Sequence, residues 1–160
     1  MSQAISSNVS RTIQTKLVLP PDTNHLGTIF GGKVLSYIDE IAAISAMKHS
    51  KTAVVTASID TVNFLSSAKI GDILILEAVV VSTGTTSMEV YIKVECENLN
   101  TGEKQVTTNS LMTMVAVGAD GKPTSVPGVI PQTVEEQKLF RQSLERKQRR
   151  LKIIESIGGK

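Results

Sequence analysis

Residues 20–50 read PPDTNHLGTIFGGKVLSYIDEIAAISAMKHS: a polar loop, a double glycine, then a long apolar run that no proline interrupts. From Gly31 onward Val34, Leu35, Ile38, Ile41, Ala42 and Met47 recur at helical spacing, with small Ala43, Ser45 and Ala46 between them. A helix that is apolar over most of its circumference is buried on several sides rather than laid on a surface. The rest of the chain must therefore provide what covers it. Asp39 and Glu40 interrupt the apolar run. A carboxylate there is costly unless paired, hydrated or functional, and burial would raise its pKa toward that of a general base. Both acids also admit the plainer reading of solvated positions on one stripe.

Upstream, Asn24, His25 and Gly27 lie in a loop opened by Pro20 and Pro21, and Gly31 and Gly32 place unhindered N–H groups at the helix start. Helix N-termini stabilise developing negative charge. A carbonyl held there, with a water near Asp39, has the parts of a hydrolase, an oxyanion site and a base. The alternative is that the glycines only allow close packing where the helix begins. Residues 27–33 also fit the phosphate-loop spacing G-x-x-x-x-G-K, but Val34 stands where a Ser or Thr would hold magnesium, and PPDTNHL rather than a buried strand comes first. Nucleotide hydrolysis is therefore not expected.

The other segments read as a sheet. In residues 12–19, Ile13, Leu17 and Leu19 share one face and Gln14 and Lys16 the other, a strand pattern. Residues 53–64 are rich in Val, Thr and Ile, and residues 73–81 form a dense run expected to be buried on both faces. After the turn STGTTS, Met88, Val90, Ile92, Val94 and Cys96 alternate with Glu89, Tyr91, Lys93 and Glu95. Asn100, Thr101 and Gly102 make a hairpin turn into a fifth strand over residues 104–117. Strand, helix, then four strands joined by short connections predict an α+β architecture, a mostly antiparallel five-stranded sheet packed on the long helix. The free edges and the uncovered part of the helix predict a dimer with sheets joined edge to edge.

Residues 1–10 are polar and expected to be loose; residues 126–160 read as a linker and a basic C-terminal helix, outside a main domain over residues 11–125. Thr133 and Glu136 form a capping box. Phe140, Leu144, Leu151 and Ile154 predict a narrow apolar stripe on one helix ending near Gly158 and Gly159, with Lys138, Arg141, Arg146, Lys147, Arg149, Arg150 and Lys152 as a solvated basic face. With 3% aromatic residues, no stacking platform for single-stranded nucleic acid is visible. One cysteine and two histidines leave no internal disulfide and no metal cluster, and no cofactor is expected. Nothing in the chain reads as a signal peptide or a membrane span, so a cytoplasmic location is the default. Cys96, on the apolar side of its strand, reads as a small core residue.

Three blocks in order, NHLGTIFGGKVLSYIDE, VVTASIDTVNF and STGTTSMEV, closely resemble the acyl-CoA thioesterases of the YciA and brain acyl-CoA hydrolase type within the hotdog-fold superfamily. The likeness extends over residues 10–125. It implies a hotdog fold with active sites at a dimer interface, often in trimers of dimers and so hexamers. It also implies hydrolysis of acyl-CoA to fatty acid and CoA. The Asn and Asp of the family's catalytic pair match Asn24 and Asp39, contributed by different protomers. On that resemblance Asp39 acts as base on water, with direct attack by its carboxylate as the alternative, while the Asn24 amide and the N–H of Gly31 or Gly32 polarise the thioester carbonyl.

CoA contacts are placed at Val55, Thr56, Ala57 and Ser58 as an edge along the pantetheine. Ser82, Thr83, Gly84, Thr85, Thr86 and Ser87 are placed as phosphate donors, with Lys48, Lys51 or a tail arginine adding charge. Phe30, Tyr37, Phe64 and Met88 are the expected lining of the acyl pocket. Two other readings keep the fold. A hotdog sensor would bind acyl-CoA without turnover and use the basic tail to engage a partner. A dehydratase would need a catalytic His, for which His25 is available, but the H-F-P block of that group is missing.

Overall fold

The computed structural model describes residues 3–158. Its elements in chain order are β1 (Ile5–Ser6), β2 (Thr12–Leu17), α1 (Gly31–Ser50), β3 (Ala53–Phe64), β4 (Ile73–Thr83), β5 (Ser87–Glu97), β6 (Lys104–Val117), β7 (Val129–Ile130), α2 (Val134–Arg141) and α3 (Ser143–Ser156). β2, β4, β5, β6 and β3, in that spatial order, form one five-stranded sheet in which every pair is antiparallel. The predicted α+β architecture and its five main strands are thus present.

α1 lies on this sheet. Val34, Ile38, Ile41, Ala42 and Ala46 bury one face of the helix against Leu74, Leu76 and Ala78 of β4, Val90 and Ile92 of β5, and Met112 and Met114 of β6. The recurrence of apolar side chains every three to four residues on α1, set against the two-residue alternation of β5, makes one contiguous core. Burial on several sides does not hold in the single chain. Gly32, Ser36, Asp39, Glu40 and Met47 form an open stripe, because nothing in one protomer packs there. The dense run in β4 is buried on both faces only over residues 79–82, where the tail crosses it; at Ile73, Ile75 and Glu77 it is half-buried. On β2 the apolar residues Ile13 and Leu17 face away from the core and are exposed, while Thr12 is buried.

The termini differ from the sequence expectation. Residues 5–10, read as loose, are built into the structure: β1 pairs in parallel with β7, the Ser10 hydroxyl accepts from the Val80 amide at 2.9 Å, and Ser7 is buried. The tail is not one helix. It breaks at Gln142, which carries φ −90° and ψ 0°, into α2 and α3. Thr133 caps α2 as predicted, accepting from the Glu136 amide at 3.1 Å. The Glu136 carboxylate takes the Gln132 amide, the Thr133 and Ser7 hydroxyls, and Arg11 at 2.7 Å. Burial alone would raise its pKa, but these donors outweigh burial and hold it down at about 2.

Nor is the basic face of the tail wholly solvated. Arg146 turns inward and grips the buried Glu89 of β5 through Nε and Nη2, both at 2.7 Å, while Arg150 reaches Asp60 of β3 at 3.5 Å. The predicted stripe is on the wrong side of the helix: Phe140, Leu144 and Leu151 are exposed and only Ile154 is half-buried. Gly159, the far end of the predicted helix, lies outside the described residues. Among the described residues no helix is long and apolar enough to cross a membrane.

Candidate active site

The loop before α1 folds on the side chain of Asn24. Its Oδ1 accepts from the Leu26 amide at 2.9 Å, the Thr28 amide at 3.3 Å and the Thr28 hydroxyl at 3.2 Å. Its backbone N–H and C=O close the same turn with Thr28 and Gly27, the latter at φ +76°, where glycine costs no steric strain. With the oxygen so occupied, Nδ2 is left with no acceptor among the described residues. His25, next along, is exposed.

α1 starts where this loop ends. The Phe30 carbonyl accepts from Lys33 and Val34, and the N–H groups of Gly31 and Gly32 meet no backbone acceptor among the described residues. Gly31 packs closely against Phe64. A Cβ there would lie 3.3 Å from Cζ of Phe64, whereas one on Gly32 would meet open space. A cleft of about 290 Å³ opens beside Gly31, lined by Ile29, Val34, Phe64, Leu65 and Ala68, with Thr107 and Thr108 among its polar residues. Of the four expected lining residues only Phe64 borders it. Met88 is fully buried in the core, Tyr37 has the Lys16 and Lys33 ammonium groups each 5.2 Å from its ring centroid, and Phe30 precedes α1 with its ring exposed.

Asp39 stands on the open stripe of α1. Its Oδ1 accepts from the Thr56 hydroxyl of β3 at 2.7 Å, and Oδ2 has no partner among the described residues. Thr56, placed by the sequence reading among CoA contacts, thus holds the acid in one rotamer. The contact spans 17 positions of chain and joins a helix to a strand, so no local pattern signals it. Asp39 follows Gly31 by eight residues, roughly 12 Å along the helix axis. Within one chain the acid and the N–H groups at the helix start are too far apart to act on one carbonyl.

The other predicted contacts fall in different places. Val55 and Ala57 are exposed, and the Ser58 hydroxyl donates to Asp60 at 2.7 Å; the β3–β6 register shifts twice along this stretch, between Thr56 and Ser58 and between Ile59 and Thr61. Ser82, Thr83, Gly84 and Ser87 line a second cleft, of about 170 Å³, together with Ser143, Lys147 and Arg150 of α3. The Ser82 hydroxyl is committed to Glu89 at 2.6 Å. The carbonyls of Thr85 and Thr86 tie the turn to Val126 and Ala116, both at 2.9 Å. Lys48 and Lys51 lie at the far end of α1 and line neither cleft. Burial and a bond to Asp72 push the Cys96 thiol up to about 12, so it has the chemistry of the small packing residue predicted.

A long helix held against a curled antiparallel sheet, with a free amide and a double-glycine helix start at one end and a strand-supported carboxylate at mid-helix, is the hotdog arrangement. A model of the thioesterase superfamily matches residues 26–103. An acyl-CoA thioester hydrolase of Bacillus subtilis named YkhA, itself described as uncharacterized, is 46% identical over 137 residues, which are 86% of this chain and 80% of the relative. A crystal structure of an apo-hexameric acyl-CoA thioesterase superposes with a TM-score of 0.92 at 62% identity, covering 94% of this chain and 97% of that one. An acyl-CoA hydrolase from Staphylococcus aureus, solved with butyryl-CoA, CoA and CoA disulfide, superposes with a TM-score of 0.88 at 41% identity, over 95% and 94% of the two chains. The chain belongs to the acyl-CoA thioester hydrolases of the thioesterase superfamily.

Proposed function

We propose that the protein hydrolyses acyl-CoA at a site made by two copies of the chain, Asp39 of one acting with Asn24 and Gly31 or Gly32 of the other. The observation that carries this reading is the separation along α1: Asp39 and the Gly31 N–H lie roughly 12 Å apart along the helix axis in one protomer. The open stripe of α1 and the free edge of β3 offer the surface on which a second copy brings the two sets together. A hexamer of the kind formed by the 62% identical neighbour would contain three such pairs.

In the reaction the thioester carbonyl oxygen sits between the Asn24 Nδ2 and the free N–H at the start of α1. Asp39, with Oδ1 held by Thr56, takes a proton from water through Oδ2. The water oxygen bonds to the carbonyl carbon, and the resulting oxyanion is stabilised by the donors and the positive end of the helix. The tetrahedral adduct then collapses, the C–S bond breaks, and the sulfur of CoA accepts the proton that Asp39 carries. A thiolate is a good leaving group, so protein, substrate and water suffice. The acyl chain lies in the cleft beside Gly31, against Ile29, Val34, Phe64 and Leu65.

The test is thiol release from acyl-CoAs running from acetyl to palmitoyl, with Asp39→Asn in parallel. Turnover that the substitution abolishes supports the reading. Turnover that survives it in a correctly assembled protein removes Asp39 from the mechanism.

A further inference from the structure

β3 departs from a regular strand where it meets the carboxylate of Asp39. Its pairing with β6 skips Ala57 and Asp60, so β3 takes eight residue steps from Thr56 to Phe64 while β6 takes six from Met114 to Thr108. Each skipped residue is a bulge, and a bulge reverses the facing of the strand beyond it. In a regular strand, residues three apart face opposite sides of the sheet. Here Thr56, Ile59 and Val62 stand opposite Met114, Met112 and Ser110, which alternate along β6 and so share one face. Met112 and Met114 pack in the core with α1. The bulges thus put Thr56, bonded to Asp39, in one row with Ile59, Val62 and, at the end, Phe64 against Gly31.

Asp60, the residue skipped at the second bulge, ties this irregular stretch together on the other face of the sheet. Its Oδ1 accepts from the Ser58 hydroxyl at 2.7 Å and its Oδ2 from the Thr113 hydroxyl of β6 at 2.8 Å, so one carboxylate spans both strands. The Ser110 hydroxyl closes the same bulge by donating to the Thr61 carbonyl at 2.7 Å. Arg150 of α3 lies 3.5 Å from Oδ2 of Asp60, and Arg146, one turn earlier, holds Glu89, which stands opposite Thr113 on β5. α3 therefore fastens two carboxylates of one row across the sheet. The Asp60 side chain is only 14% exposed, a desolvation cost that its hydroxyl and arginine donors offset. A bulge in itself needs no carboxylate; what this one adds is a fixed register. We propose that Asp60 is a positioning residue for the hydrolysis: it holds the bulged register of β3 that aims the Thr56 hydroxyl at Asp39, and through Arg150 it links that register to the docked tail. The proposal rests on the acyl-CoA reading above.

The experiment compares Asp60→Ala, Thr56→Val and the double variant in thiol release from an acyl-CoA, on proteins whose assembly size matches wild type by gel filtration. Asp60→Asn, which keeps an acceptor for one hydroxyl, carries the comparison if Asp60→Ala does not fold or assemble. Asp60→Ala should lower kcat by about tenfold or more and leave KM within about twofold, the mark of misplaced catalytic groups rather than weakened binding. Thr56→Val should do the same, and the double variant should be no slower than the slower single, because Asp60 acts through Thr56. Glu136→Gln, which loosens the tail elsewhere, controls for stability and should keep the wild-type kcat. In methyl NMR the Thr56 side chain, held in one rotamer in wild type, should populate more than one in Asp60→Ala. Wild-type kcat in Asp60→Ala, a loss confined to KM, or losses that multiply in the double variant overturn the proposal. So does a kcat loss in Glu136→Gln as large as that in Asp60→Ala. Wild-type protein that hydrolyses no acyl-CoA contradicts the hydrolytic reading instead, and the Thr56 rotamer still decides the role of Asp60.

Discussion

At the scale of single residues, the account rests on how two polar side chains are held. Asn24 spends its carbonyl oxygen on its own loop and leaves its amide without an acceptor among the described residues, and Asp39 spends one oxygen on Thr56 and leaves the other without a partner there. Asp39→Asn keeps the shape and removes the basicity; kcat should fall by about 100-fold or more with KM little changed. Asn24→Ala should also lower kcat, by about 100-fold, through lost oxyanion stabilisation. An effect confined to KM would make Asn24 a binding residue only. Phe64 borders both Gly31 and the apolar cleft, so Phe64→Ala should deepen the cleft and shift the best substrate toward longer acyl chains, each added buried methylene gaining about 0.8 kcal/mol. An acyl-chain profile identical to wild type would place the chain elsewhere. Asp39 stood out in the sequence because it interrupts an apolar helix, whereas Asn24 was singled out only by the family resemblance. The role of Thr56 was not legible, since its partner is defined only once α1 lies across β3.

At the scale of elements, the tail helices are held by Glu136 to Arg11 and Ser7, Arg146 to Glu89, and Arg150 to Asp60. Glu136 is ionised far below the usual carboxylate range, from an ordinary 4.5 down to about 2. A depressed pKa contributes stability that is fully present above the ordinary value and is lost as pH falls through the lowered one. Unfolding followed by circular dichroism should therefore show tail docking weakening between about pH 4.5 and 2, and Glu136→Gln should lower stability by about 2 kcal/mol at neutral pH while flattening that dependence. A variant as stable as wild type at pH 7 and equally acid-sensitive would show that the clasp is not what holds the tail. The strands and α1 were readable from periodicity, β3 and β6 to the residue. The break at Gln142 was not, because neither Gly nor Pro marks it. The sheet-facing row of α3, with Ser143, Arg146 and Arg150, carries polar groups in place of the apolar residues that a pattern search follows.

At the scale of the whole molecule, the proposed base stands at the middle of the open stripe of α1 and the proposed oxyanion donors at its start, roughly 12 Å apart along one helix. The apolar excess of α1, more than a single sheet can cover, was the sequence signal for a second copy. The surface proposed for that copy, the exposed stripe around Asp39 and the unpaired edge of β3, is defined only by the fold. The most direct measurement mixes the two catalytic variants. Asn24→Ala and Asp39→Asn chains, each inactive alone, are co-expressed under separate tags, and the hybrid assemblies are purified and assayed for acyl-CoA hydrolysis. A site shared between protomers leaves one intact site in each mixed pair, so random pairing should restore about a quarter of wild-type turnover. Hybrids as inactive as their parents would contradict the shared site and require both residues to act from one chain.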